Sequence, residues 1–435
     1  MRRRHFLQLL AAAPAPPNII LAMADDQGWG DTSYNGHRIL STPHLDAMAK
    51  AGLRFDRFYS GAPVCSPTRG SALTGRHPFR YGIFFANADT GADSPSKYAL
   101  PSREQTLPEL LKPLGYTSGH FGKWHLGDFT GTQRSAPTDN GFDEFFSTTR
   151  KVSTVNPEAY WTQNGRVGQA HLEGDDSRIL MDAAVSFIER AAQRRQPFLA
   201  VIWFHAPHEP VVATERHRAP FTQYPGKPEN YYGAVASLDE QMGRLRETLR
   251  YLKIERNTML WYASDNGPEG DRQSTASPGS AGPFRGRKRS LFEGGIRVPA
   301  LLEWPARFPS PKVIRAAAST SDYLPTILSA LNQPLPKELD GINLLPILDG
   351  KQSLRRSPLA FETINDTRGS QKLCWIEDRW KLLSNLDGSE DMLFDLDADP
   401  AESNNLAARQ PRIVSALRAK LEQWRASCTR SRQGL

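Results

Sequence analysis

The chain has 435 residues, enough for one large domain with its own core and a smaller one beside it. Hydrophobic residues make up 39 %, ordinary for a globular protein, and no apolar run approaches the roughly 20 residues that span a bilayer. A formal net charge of +7 suits an anionic substrate or polymer, and the lack of any helix-turn-helix, zinc-finger or RNA-binding pattern argues against nucleic acid.

The first stretch, MRRRHFLQLLAAAPAPPN, runs from a basic start through a short apolar segment to an Ala/Pro run. That is the order of an export signal, with Arg3-Arg4 ahead of Phe6-Leu7 in twin-arginine manner, so residues 1–16 read as a leader to the periplasm or the medium. NIILAMADD, at 18–26, is an apolar run closing in two carboxylates, as a buried parallel strand does at its carboxyl end. STPHLDAMAKAG follows as a helix, with Ser41 or Thr42 as its cap, Pro43 in the first turn, and Leu45, Met48 and Ala49 on one face. In GAPVCSPTRGSALTGR, at 61–76, Cys65 stands among the turn formers Gly61, Ser66, Pro67 and Gly70, next to the fixed charge of Arg69. Residues 77–101 are long and irregular, as loops that shape a substrate site are.

TLPELLKPLGY then sets Leu107, Leu110, Leu111 and Leu114 at helical spacing, and GHFGKWHLG leads away from it with Lys123 and His125. An amphipathic helix is expected at 176–195 and an apolar strand at 198–204, running into HAPHEP with His205 and His208. A long helix at 231–252 feeds a strand at 258–265 that ends in Asp265-Asn266-Gly267, and a further strand and helix fall at 298–304 and 322–332. Beyond about residue 350 the texture changes to short β-like runs and a final helix at 411–424. Alternating strands and helices of these lengths imply an α/β sheet flanked by helices on both faces, with a small α+β appendage. The division is residues 17–350 and 351–435.

Ligands of open α/β sheets sit at the carboxyl ends of the strands, and here those ends carry polar clusters. Singly, each has a bland reading: Asp-Asp after a strand is a cap, DNG a hairpin turn, RGRKR (285–289) a solvated basic loop. Together, Asp25, Asp26, Asp265 and Asn266 supply hard oxygen ligands suited to Ca2+ or Mg2+ rather than zinc. Cys65 has no cysteine partner at metal-site or redox spacing, and the sequence leaves open whether the distant Cys374 and Cys428 pair.

CSPTRG followed by LTGR closely resembles the signature of the type I, formylglycine-dependent sulfatases. The resemblance continues in order through NIILAMADDQGWGD, GHFGKWHLG, APHEP, SDNGP, LFEGGIRVPALLEW and LFDLDADPAESNNLA, covering nearly the whole chain, and looks most like the arylsulfatase and N-acetylgalactosamine-6-sulfatase branch. It implies an alkaline-phosphatase-like fold, a large mixed sheet between helices with a small C-terminal subdomain. It also implies that a maturation enzyme oxidises Cys65 to Cα-formylglycine. One hydroxyl of the hydrated aldehyde would attack the sulfur of a sulfate ester; the other, once deprotonated, would re-form the carbonyl and eject sulfate. Carried over by position, Asp25, Asp26, Asp265, Asn266 and the oxidised Cys65 would hold one Ca2+ per chain, and Arg69 the aldehyde hydrate. Lys123 and Lys288 would bind sulfate oxygens, His125 would be the base that collapses the sulfo-enzyme intermediate, and His208 would bind sulfate and help protonate the leaving alcohol, a role Lys288 can share. Lys288 is matched through its position five residues before Glu293; His205 has no family counterpart and reads as structural.

The expected protein is therefore an exported Ca2+-dependent sulfatase acting on a sulfated carbohydrate or aryl sulfate. The alternatives are a phosphonate or phosphodiester hydrolase of the same fold and a glycan-binding protein in which Cys65 is never oxidised.

Overall fold

The computed structural model describes residues 15–86, 99–168, 172–270, 277–364 and 371–435. Most of the expected leader (1–14) and part of the 77–101 loop (87–98) lie outside the described residues. At the centre is the strand Asn18–Ala24, paired in parallel with Phe198–Trp203 on one side and Thr258–Ser264 on the other. Thr117–Lys123 and then Glu144–Thr148 extend the parallel set, while Ala300–Glu303 runs antiparallel against Thr258–Ser264. Short edge strands complete a mixed ten-stranded sheet.

Both faces of the central strand are buried, which is why its sequence is a continuous apolar run instead of an alternation. Ile19, Leu21 and Met23 join one core cluster, with Leu199, Val201, Trp203, Met259 and Trp261. Ile20, Ala22 and Ala24 join the other, beneath the helices Pro43–Ala51, Asp176–Gln193 and Lys227–Tyr251. Cutting a buried side chain such as Leu21 to alanine costs about 2–5 kcal/mol in a core of this kind.

The first helix is capped differently from the sequence expectation. Neither Ser41 nor Thr42 caps it with its side chain; Asp239, from the long helix, accepts from the backbone N–H of His44 (3.1 Å) and Leu45 (2.8 Å). A carboxylate satisfies two orphan donors and adds negative charge at the positive end of the helix.

The C-terminal part is a four-stranded antiparallel sheet, Leu359–Glu362, Leu373–Glu377, Trp380–Ser384 and Met392–Asp395, backed by the helix Pro411–Gln433. One face packs on Tyr59, Leu291, Phe292 and Ile296 of the main body, the other on Leu417 and Leu421 of the helix. Cys374 and Cys428 are both free, buried thiols in different apolar clusters.

Candidate active site

Four parallel strands deliver their polar ends to one edge. Asp25 and Asp26 follow the central strand, Asp265 and Asn266 follow Thr258–Ser264, Lys123 closes Thr117–Lys123, and His205 and His208 follow Phe198–Trp203. Asp26 and His125 have left-handed backbones, φ 63° and 58°, which few residues with a side chain adopt. Each turns the chain sharply at its strand end. Gly267 has to be glycine, because a Cβ there would lie 2.0 Å from the carbonyl oxygen of Gly294.

Cys65 does not sit in a turn. It is the first residue of a helix, Cys65–Thr74, entered from the extended Val64, and all ten helical residues are buried. The turn-forming composition misleads because Pro67 fits the first turn of a helix and Ser66 is tied down by donating its hydroxyl to the His125 carbonyl. Gly70 admits the Tyr81 hydroxyl to within 2.6 Å of where a Cβ would be. The helix presents Cys65 to the cleft at its positive end. Burial pushes the thiol pKa up, so an unmodified Cys65 is a poor thiolate.

Buried ion pairs knit the floor. Lys123 Nζ lies 2.5 Å from Asp25 Oδ2, and Arg69 spans Asp265 Oδ2 (2.8 Å) and Asp25 Oδ2 (3.2 Å) while donating to the Lys123 carbonyl at 2.7 Å. Lys288 Nζ is 2.7 Å from Asp26 Oδ2 and 3.3 Å from Glu269 Oε2; His208 Nε2 is 3.5 Å from Asp26 Oδ2. Asn266 donates to Asp26 Oδ1 at 2.7 Å. Burial would raise the Asp25 carboxyl, but Lys123, His208, Arg69 and Lys288 together hold it well below the usual carboxylate range. Asp265 goes the other way, lifted to about 7 by burial and then by the charge of Asp25. Burial keeps His125 neutral, with Lys123 and Arg69 adding to the effect, and lowers His208 to about 4.

The donor set fits a hard cation. Oxygens of Asp25, Asp26 and Asp265 lie within 4.8 Å of one another, as do ligand atoms of Asp25, Cys65 and His208. Asp25 Oδ1 and Asn266 Oδ1 are buried with no hydrogen-bond donor, and a cation would satisfy both. Three carboxylates (Asp25, Asp26, Asp265) face three fixed cations (Arg69, Lys123, Lys288), so a divalent ion leaves the floor positive for an anion.

Above this floor opens a cavity of about 620 Å3 lined by Cys65, Lys123, His125, His208 and Lys288, among others. The structure thus brings together the catalytic and metal-ligand residues that the resemblance implied. His205 stays apart, buried between Asp176 (2.9 Å) and Thr148 (2.7 Å). Sequence reasoning missed Glu269, which pairs with both Lys288 and Arg289. Its position two residues past Gly267 was the only local signal.

The family model for sulfatases matches residues 17–333, and a second, for the C-terminal region of N-sulphoglucosamine sulphohydrolase, matches residues 282–427. Human N-acetylgalactosamine-6-sulfatase is 37 % identical over 364 residues, covering 78 % of this chain and 67 % of its own. The crystal structure of Ps i-CgsB in complex with k-i-k-neocarrahexaose superposes with a TM-score of 0.85 at 26 % identity, covering 95 % of this chain and 93 % of its own. The phosphonate monoester hydrolase of Agrobacterium radiobacter shares the fold, with a TM-score of 0.66 at 19 % identity, covering 95 % of this chain and 96 % of its own.

Proposed function

The chain belongs to the sulfatase family and is a sulfuric ester hydrolase, and from that premise we propose a formylglycine- and Ca2+-dependent enzyme for sulfated carbohydrate, matured at Cys65 by a formylglycine-generating enzyme. The supporting observation is the convergence, in one cavity, of a helix-initiating Cys65 with Lys123, His125, His208 and Lys288 over a carboxylate floor with two undonated oxygens. The catalytic unit is taken as residues 17–350 and the C-terminal subdomain as 351–435. The leader at 1–16 points to export, and no described helix is long and apolar enough to cross a membrane.

Asp25, Asp26, Asp265 and Asn266, with the oxidised side chain of residue 65, would hold the ion; bound there, Ca2+ supplies positive charge that orients and polarises sulfate oxygens. The aldehyde hydrate supplies the nucleophile and, through its second hydroxyl, a way to release sulfate. Arg69, locked by Asp25 and Asp265, holds that hydrate in one orientation. Lys123 and Lys288, both buried and paired, offer ammonium groups that cannot drift as charge builds on the sulfate. His125, neutral by burial, is ready to accept a proton. His208 is neutral too, until an anionic sulfate beside it raises its proton affinity; it then protonates the departing alcohol together with Lys288.

The test is sulfate release by the matured protein from an aryl sulfate and from sulfated oligosaccharides, against turnover of an aryl phosphodiester. Faster sulfate release, lost by about 10³-fold or more in Cys65→Ala, is the expected result. Faster phosphodiester cleavage would move the assignment to the phosphonate-hydrolase branch, and glycan binding with no turnover would make this a binding protein.

A further inference from the structure

The cavity is larger and more cationic than cleavage of one sulfate ester requires. Its volume, about 620 Å3, is that of a site enclosing a whole small-molecule ligand. Six lysines and arginines line it, against two glutamates. Most of this charge is engaged: Lys123 with Asp25, Lys288 with Asp26, Arg289 with Glu269, and Lys227 with Glu209 at 3.3 Å. Lys151 is exposed and makes no hydrogen bond or ion pair among the described residues, and Arg150 stands next to it in sequence on the same wall.

Both side chains are exposed, on a main chain held by hydrogen bonds. They follow the strand Glu144–Thr148, which lies beside the strand that ends in Lys123. Thr149 O accepts from the His125 N–H at 3.0 Å, so the segment is anchored to the same short stretch that carries the proposed base. The Thr148 hydroxyl donates to the Arg150 carbonyl at 2.6 Å and meets His205 Nε2 at 2.7 Å; His205 Nδ1 in turn lies 2.9 Å from Asp176 Oδ2. Thr148, His205 and Asp176 are all buried. This relay explains the histidine that the catalytic site leaves unused: it fixes the main chain under Arg150. A cationic segment held in place loses less entropy when a ligand docks than a free loop would, and a cleft of one sign focuses the field on an incoming anion.

We infer that Arg150 and Lys151 form a second anion subsite, so that the substrate carries a further sulfate or carboxylate near the ester that is cleaved. The inference rests on the sulfatase reading and narrows it to glycans with at least two anionic groups. Phe85, which also lines the cavity, offers a ring face for the apolar side of a sugar. Arg150 and Lys151 select the substrate; they do not touch the bond that breaks.

The test uses the matured, Ca2+-loaded full chain with four substrates: an aryl sulfate, a sulfated disaccharide with a neutral neighbour, the same with a uronate neighbour, and the same with a second sulfate. The wild-type protein is expected to favour a dianionic disaccharide over the neutral-neighbour one by about tenfold in kcat/KM, the effect of one charged hydrogen bond. The uronate and disulfate arms tell which anion fills the subsite. In Lys151→Ala that preference falls about threefold through KM, and with Arg150→Ala added it is lost, while Lys151→Arg keeps most of it. Raising the salt concentration erodes the preference in the same way. Aryl sulfate turnover with equal kcat/KM for all disaccharides, or a preference untouched in the double variant, overturns the inference alone. No turnover of any sulfate overturns the sulfatase reading and the inference with it.

Discussion

The carboxylates at the carboxyl edge of the large sheet and those between the main body and the C-terminal sheet are equally buried, yet the first group pairs with Lys123, Lys288 and His208, side chains that line a cavity. In the second group Lys381 Nζ lies 2.8 Å from Glu293 Oε1 and 2.9 Å from Glu402 Oε1. Tyr59 donates to Glu293 at 3.0 Å, Arg297 lies 3.3 Å from the same oxygen, and the Glu293 N–H donates to Glu402 at 2.6 Å. At the sheet edge Asp25 Oδ1 and Asn266 Oδ1 have no donor; at the joint Glu402 Oε1 also lacks a hydrogen bond but has the Lys381 ammonium 2.9 Å away. A buried ionic cluster is costly to desolvate either way; one closes on itself and joins two parts of the molecule, the other is left short of a cation and beside space for an anion.

That contrast is broken most directly at the two lysines. Lys381→Met leaves Glu293 and Glu402 buried together without their shared cation and is expected to lower unfolding stability by about 3–5 kcal/mol in urea titration. A loss under 1 kcal/mol would mean the cluster is not a structural joint. Lys123→Met, in contrast, leaves Asp25 facing Arg69 and should lower kcat/KM for aryl sulfate by about 10²–10³-fold with a smaller loss of stability than Lys381→Met. If the stability losses rank the other way, the division between structural and catalytic clusters fails.

Metal removal sharpens the comparison further. Ca2+ at a hundred times its Kd should raise unfolding stability by about 2.7 kcal/mol, and Asp25→Asn should lose most of that increment. Equal stabilisation of both proteins would place the ion elsewhere. A pH dependence of comparable size is expected at the joint. Burial, opposed by Lys381, lifts Glu402 to about 7 from the usual 4.5. The folded state then holds a proton that the unfolded chain has released, so the stability this group contributes is complete below pH 4.5 and is lost as pH rises through 7, on the order of 3 kcal/mol. Glu402→Gln should flatten that slope; an unchanged slope would assign it to another group.

The catalytic edge was far more legible in the sequence than the joint. Asp25-Asp26 and Asp265-Asn266 are contiguous pairs directly after apolar runs, so local pattern places each at a strand end and the parallel sheet gathers them. Glu293 and Lys381 are 88 residues apart, and Glu293 and Glu402 are 109 apart. No spacing connects them, and Lys381 sits mid-strand where a solvated residue is the ordinary expectation. The strands Leu53–Phe55 and Trp161–Thr162 are too short to show a period and form because longer neighbours supply the edge, and Phe58–Tyr59 pairs only with the equally short Ala318–Ser319 among the described strands. The final helix runs to Gln433, past the expected 424, because Cys428 buries against Phe79 and Phe84 of the main body. Tertiary burial, not local propensity, sets that end.

The central claim is the oxidation of Cys65, and the mass of the tryptic peptide from Phe58 to Arg69 tests it, using protein made in its own host or with a maturation enzyme. The account predicts a mass lowered by the change from CH2SH to CHO, in the same sample that releases sulfate. An intact thiol in protein that turns over sulfate esters at full rate would contradict it.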